Sequence, residues 1–185
     1  MPEAPEPLQA PAGSDPAQLP RLLLLLTVAE QLYAVDTQAV VEVIPQVILR
    51  PVSGAPAHQS GVFNFRGRVV PVVDVTQLIA GRPCAGYLSS RIIMVRHKPA
   101  DGEPALLGLL AERVTDTLLK PLASFQPAEG AAAQRPFLGG VALDERGLIQ
   151  LLHCDQLASA ALVGLEAPEP PLAESPTVPD CDERV

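Results

Sequence analysis

The residues able to do chemistry are few in this chain and stand far apart. His58, His97 and His153 are separated by long intervals, with no His-x-x-x-His or His-Glu pairing that would set two ligands, or an acid and a base, on one element. Cys84, Cys154 and Cys181 show no Cys-x-x-Cys spacing, so neither a zinc site nor a disulfide framework is suggested, and reduced thiols in a cytosolic protein are expected. Asp74 and Asp155 each precede a short apolar run, which suits helix caps better than paired catalytic carboxylates. No G-x-x-x-x-G-K-[ST] loop and no G-x-G-x-x-G segment offers a cradle for phosphate. The reading is therefore of no catalytic residue, no metal and no cofactor.

One stretch stands out for a different reason. Residues 61–75, GVFNFRGRVVPVVDV, set two apolar runs, 62–65 and 69–73, on either side of the polar Asn64, Arg66, Gly67 and Arg68. β-branched and aromatic residues favour strands, and Gly67 can take the positive φ that a tight hairpin tip demands. Asp74 followed three residues later by Gln77 reads as a capping box opening a short helix over 75–79. The most exposed chemistry this unit offers is a guanidinium on a hairpin tip, which favours docking over catalysis.

The elements around it are short. The runs 22–28 and 32–35 bracket Ala29-Glu30-Gln31; leucine favours helix by propensity, but apolar groups at consecutive positions before a polar break read as two strands of a hairpin. Asp36 is expected to cap a single helical turn through Ala39, followed by a strand over 40–44 that Pro45 ends. Residues 50–60 form a loop into the central hairpin and 80–89 a polar connection. Strands are expected over 91–96 and 105–110, joined by a turn containing Asp101-Gly102, then over 114–119, 138–143 and 148–152. Asp155 is expected to cap a last helix over 156–163. Many short strands joined by turns imply small closed or nearly closed barrels.

Composition sets the outer limits. Of 185 residues 48% are hydrophobic but only 3% aromatic, with no Trp, so any core is built from Leu, Val, Ile and Ala. A net charge of -8 opposes binding to nucleic acid or an anionic membrane through a general basic surface. No Lys or Arg precedes Arg21, the wrong charge for a targeting signal, and the 22–26 leucine run is far short of the roughly 20 residues of a membrane helix. The chain is expected in the cytoplasm, with no membrane insertion. Residues 1–20 and 166–185, rich in Pro, Ala and Glu, read as disordered tails flanking a folded region over 21–165.

Residues 61–81, GVFNFRGRVVPVVDVTQLIAG, resemble the signature of the CheW-like domains, with Asn64, Arg66, Gly67, Pro71 and Asp74 in register, as are Tyr33-Ala34-Val35 and Val40-Val41-Glu42-Val43 upstream. Where the family usually has Val-Asp-x-Val, this chain reads Ala111-Glu112-Arg113-Val114. The resemblance spans roughly 22–162 and implies a mainly β fold of two packed five-stranded SH3-like barrels with short helices, with a boundary between them within about 75–120. It also implies a non-enzymatic adaptor that couples methyl-accepting chemoreceptors to a CheA-type histidine kinase, alone as a monomer or within a larger array. By the same resemblance Glu42 and Arg66 lie close together on the first barrel and shape a partner-binding face with Asn64 and Gly67, for which Val40, Val62 and Phe63 supply the neighbouring apolar surface. Two alternatives are an accessory paralogue serving a surface-sensing, twitching or other non-flagellar array, and a small-ligand-binding or hydrolytic β-barrel.

Overall fold

The leucine run at the start of the chain is a strand, because both of its faces are covered. In the computed structural model, which describes residues 18–98, 103–127 and 134–162, β1 (Pro20–Val28) turns through Ala29 and Glu30 into β2 (Gln31–Asp36). Leu23 and Leu25 face one core and Leu26 and Val28 another, so consecutive positions are apolar without any helical stripe. The same holds in β6 (Arg91–His97), where Ile92 and Met94 point one way and Ile93 and Val95 the other.

The remaining strands are β3 (Val40–Pro45), β4 (Gln59–Phe65), β5 (Arg68–Asp74), β7 (Ala105–Pro121), β8 (Leu138–Asp144) and β9 (Gly147–Leu152), with two helices, α1 (Val75–Ala80) and α2 (Cys154–Ala161). They form two five-stranded units. The first runs β3-β6-β7-β5-β4 and the second β7-β1-β2-β9-β8. Each is a barrel left partly open at one seam. A bridge between Arg50 and Val62 draws the chain after β3 against β4, and a bridge between Gln126 and Val141 does the same for β7 and β8. Lys120 Nζ donates to Leu143 O at 2.9 Å across the second seam.

The two strands expected over 105–110 and 114–119 are one. β7 is 17 residues long and belongs to both units, pairing with β6 through Ala111 and with β1 from Glu112 onward. The break in apolar pattern at Glu112-Arg113 is a bulge rather than a loop: the register with β1 slips there and Arg113 has φ +42. The strand is common to both units, and the second unit draws β1 and β2 from the start of the chain and β8 and β9 from its end.

Two cap assignments need correction. Asp36 caps no helix: one oxygen accepts from Gln38 N at 3.0 Å in a local turn while the other is taken by Arg21 Nη2 at 2.6 Å, and 37–39 remain a turn. Asp155 lies inside α2, whose N-cap is His153; its Oδ1 accepts instead from Lys98 N at 3.2 Å. The long-range partner, unseen in the local sequence, decides both cases. The turn at Asp101-Gly102, residues 1–17 of the first tail and the whole 166–185 tail lie outside the described residues.

Each barrel has a small interior core, Phe65, Val70, Val72, Ile92, Met94 and Leu110 in the first and Leu23, Leu25, Ala34, Ile149 and Leu151 in the second. The largest cluster lies between them and takes in Val28, Val35, Val95, Leu107, Leu109 and the buried faces of α1 and α2. The barrels are therefore fused through apolar burial, at about 25 cal/mol per Å², as well as through a common strand. Surfaces on either barrel are held in fixed relation.

Candidate partner-docking site

The hairpin tip between β4 and β5 is a two-residue turn, Arg66 and Gly67, with φ of +52 and +84. Paired left-handed residues give the turn a twist that matches the strands it joins, and Gly67 adopts that conformation at no steric cost. Asn64 Oδ1 accepts from Gly67 N at 2.8 Å and pins the tip. Thus held, Arg66 reaches across the open seam of the first barrel, where its Nη2 donates to Glu42 Oε2 at 2.6 Å. β3 and β4 are the two edge strands of that barrel, so the ion pair clasps the seam further along from the Arg50–Val62 bridge. The guanidinium also lies 5.1 Å from the Phe65 ring centroid, itself 6.1 Å from that of Phe63. With side-chain exposures of 72% for Arg66 and 36% for Glu42, the pair is open to water and to any partner.

The structure brings Glu42, Asn64, Arg66 and Gly67 together, with Phe63 half-buried beneath them against the interior of the first barrel. Val62 is half-buried along β4, opposite Pro71 and bridged to Arg50. Val40 stands two residues from Glu42 but packs on the core between the barrels. The same strands carry exposed apolar residues that the sequence reading passed over. Val41 and Val43 alternate with Glu42 and are exposed, and Val69, directly across from Asn64, is 68% exposed. Period-two alternation in Val40-Val41-Glu42-Val43 was the signal that could have found the first two.

A second polar cluster is internal and structural. Glu112, 2% exposed, accepts from Arg82 Nη1 at 2.9 Å, Arg82 Nη2 at 3.3 Å and Ala85 N at 2.8 Å. Burial pushes its carboxyl up, but the Arg82 hydrogen bonds, the Ala85 amide and the Arg82 charge outweigh it and leave the group below the usual glutamate range. Asp74 Oδ1 caps α1 by accepting from Gln77 N at 2.9 Å, while its Oδ2 accepts from Cys84 N at 2.7 Å. Only half of a capping box forms, because the Asp74 amide donates to His58 O. Burial, opposed by the amides of Cys84, Gln77 and Thr76, holds Asp74 above the usual aspartate range. Together the two carboxylates fasten the 82–90 loop to the sheet. Arg113, at the bulge beside Glu112, lies 4.9 Å from the Tyr87 ring centroid and 3.5 Å from Glu30 Oε2.

Neither cysteine among the described residues is an activated thiol. Burial, with the charges of Asp74 and Glu112, pushes the Cys84 thiol up to about 11, and burial pushes Cys154 up to about 12, so both stay protonated and weakly nucleophilic. His58 Nε2 lies 3.0 Å from Ala161 O at the end of α2. Among the described residues no three His, Cys, Asp or Glu side chains could hold a metal ion, and no helix is long and apolar enough to cross a membrane.

Comparison with known proteins gives consistent matches. The family model described as CheW-like domain matches residues 22–162. A chemotaxis protein CheW of Rhizobium meliloti is 31% identical over 139 residues, covering 74% of this chain and 86% of the relative. A probable chemotaxis protein CheW of Rhizobium etli is 26% identical over 141 residues, covering 75% and 88%. Among solved structures, the scaffolding protein TtCheW from Thermoanaerobacter tengcongensis superposes with a TM-score of 0.66 at 24% identity, over 75% of this chain and 88% of that one, a likeness of fold.

Proposed function

Since the chain belongs to the CheW-like domain family, we propose that it is a cytoplasmic, non-enzymatic adaptor that couples methyl-accepting chemoreceptors to a CheA-type histidine kinase. The observation that carries this reading is the seam of the first barrel, where the exposed Arg66–Glu42 clasp joins the two edge strands while Val41 and Val43 on β3 and Val69 on β5 stay exposed. Exposed apolar side chains on the same barrel as a preorganised arginine suit a protein-docking patch, in which arginine is enriched, and its planar fork suits recognition of a carboxylate. The mechanism is positional. One barrel docks on the kinase's own CheW-like regulatory domain and the groove near the barrel junction receives the receptor helices. Because a shared strand and a common core join the barrels, a change at one surface is carried to the other as geometry.

Calorimetry of the full chain against the regulatory domain of its cognate kinase tests the proposal, with Arg66→Ala and Glu42→Ala alongside. The wild type is expected to bind measurably. Arg66→Ala should cost the fold only about 0–1 kcal/mol, since the pair is solvent-exposed, and weaken binding by about 2 kcal/mol or more if the residue is a hot spot. No binding at concentrations well above those in a cell defeats the coupling role; an Arg66→Ala protein that unfolds while its folded fraction binds normally makes the residue structural.

A further inference from the structure

One end of the first barrel gathers arginines. The strand directions bring the start of β3, the end of β4, the start of β5, the end of β6 and the start of β7 to a common mouth. Arg68 opens β5 directly opposite Phe65, which belongs to the barrel interior, so its exposed side chain leaves from the interior face. Arg96 follows Ile92 and Met94 in period two on that same face, stands opposite Leu106 and is likewise exposed. Arg66 lies over the Phe65 ring and on Glu42. Glu42 in turn stands opposite Met94, which makes it the diagonal neighbour of Arg96 on the shared face. Around the rim the order is therefore Arg96, Glu42, Arg66, Arg68, with the two unpaired cations on either side of the clasp.

The nearby carboxylates do not neutralise them. Glu42 is taken by Arg66, and Asp36, across a cleft that Arg96 borders, is taken by Arg21 at 2.6 Å. Arg68, Arg96 and Glu103, which lies just ahead of β7, make no ion pair among the described residues. Over residues 40–98 and 103–111 the first barrel holds seven Lys and Arg against three Asp and Glu, although the whole chain carries -8. With a Debye length of about 8 Å in physiological salt, a docking partner meets this local sign rather than the net charge. Like charges at one mouth repel one another, and an opposite charge set among them relieves that repulsion. Two cations flanking an ion pair call for two carboxylates, which a protein surface supplies and one small anion does not. We propose that this mouth receives an acidic protein surface, with Arg68 and Arg96 each meeting a carboxylate beside the Arg66–Glu42 clasp. The identity of the partner, the regulatory domain of the cognate kinase, rests on the adaptor reading. The new element is that the docked surface is acidic and that Arg68 and Arg96 select it.

The test has two parts. In the first, the full chain is titrated with hexaglutamate peptide and followed by backbone amide NMR. The signals of Arg66, Gly67, Arg68 and Arg96 should move together and return when salt is raised, and Arg68→Glu and Arg96→Glu should each abolish most of the movement. No movement, or equal movement around Lys120 and Arg146 on the second barrel, overturns the proposal. In the second part, calorimetry measures binding of the full chain to the regulatory domain of its cognate kinase at low and high salt. Arg68→Glu and Arg96→Glu should each weaken binding about tenfold at low salt and less at high salt. Arg146→Glu changes the net charge equally but lies on the second barrel, beside Asp116, and should leave the affinity as it is. Domain binding that ignores salt and both substitutions overturns the proposal even where the peptide binds. A wild type that takes the peptide at this mouth but not the domain defeats the adaptor reading and leaves the acidic-surface site standing.

Discussion

Glu112 offers a quantitative test of how the 82–90 loop is fastened. Its carboxylate is 2% exposed and meets three donors, two on Arg82 and the amide of Ala85. Glu112→Gln keeps shape and an oxygen for Ala85 N–H but loses the charge, while Arg82, with a side chain 44% exposed, can return to water. That substitution should cost about 1–2 kcal/mol, toward the low end for a buried pair because one partner is rehydrated. Glu112→Ala additionally strands the Ala85 amide, adding about 1–3 kcal/mol for an unsatisfied buried donor. Urea unfolding at neutral pH should rank the proteins wild type, Gln, Ala, with unchanged m-values. The acid limb is a second check. A carboxylate held below its unfolded value contributes stability that is present above the unfolded pKa and lost as pH falls through the folded one. Glutamine does not titrate, so the gap between wild type and Glu112→Gln should close in that window. A Gln variant as unstable as the Ala variant refutes the role given to the Ala85 amide, and a gap unchanged into acid refutes the ionised carboxylate.

Two further expectations concern the seam and the tails. Gly61 has φ +136, and a Cβ there would stand 2.4 Å from Arg50 O, so Gly61→Ala should break the Arg50–Val62 bridge and cost about 2–4 kcal/mol; a melting temperature within two or so degrees of wild type would show that the seam is not held there. A fragment of residues 21–165 should unfold cooperatively close to the full-length temperature, because the flanking segments have the composition of chain that cannot build a core; a loss of many degrees would mean that a tail packs on the barrels.

What the sequence determined by itself is local. The hairpin at Arg66-Gly67, the Asp74 cap and the succession of short strands follow from turn chemistry, capping and β-branched runs within a few residues. The five-residue leucine run was legible as strand because its polar break fell where a turn must lie. Partnership over distance was not legible. Glu112 gave no hint of Arg82, 30 residues away, since an acid between apolar residues looks alike whether it faces water or a buried guanidinium. The bulge at Arg113 looked like a strand end, because a break in alternation is the same signal for a bulge and for a loop. Period-two patterning tells which side a residue faces but not which strand lies beside it, so β7 serving both barrels was decided only by pairing across the whole chain.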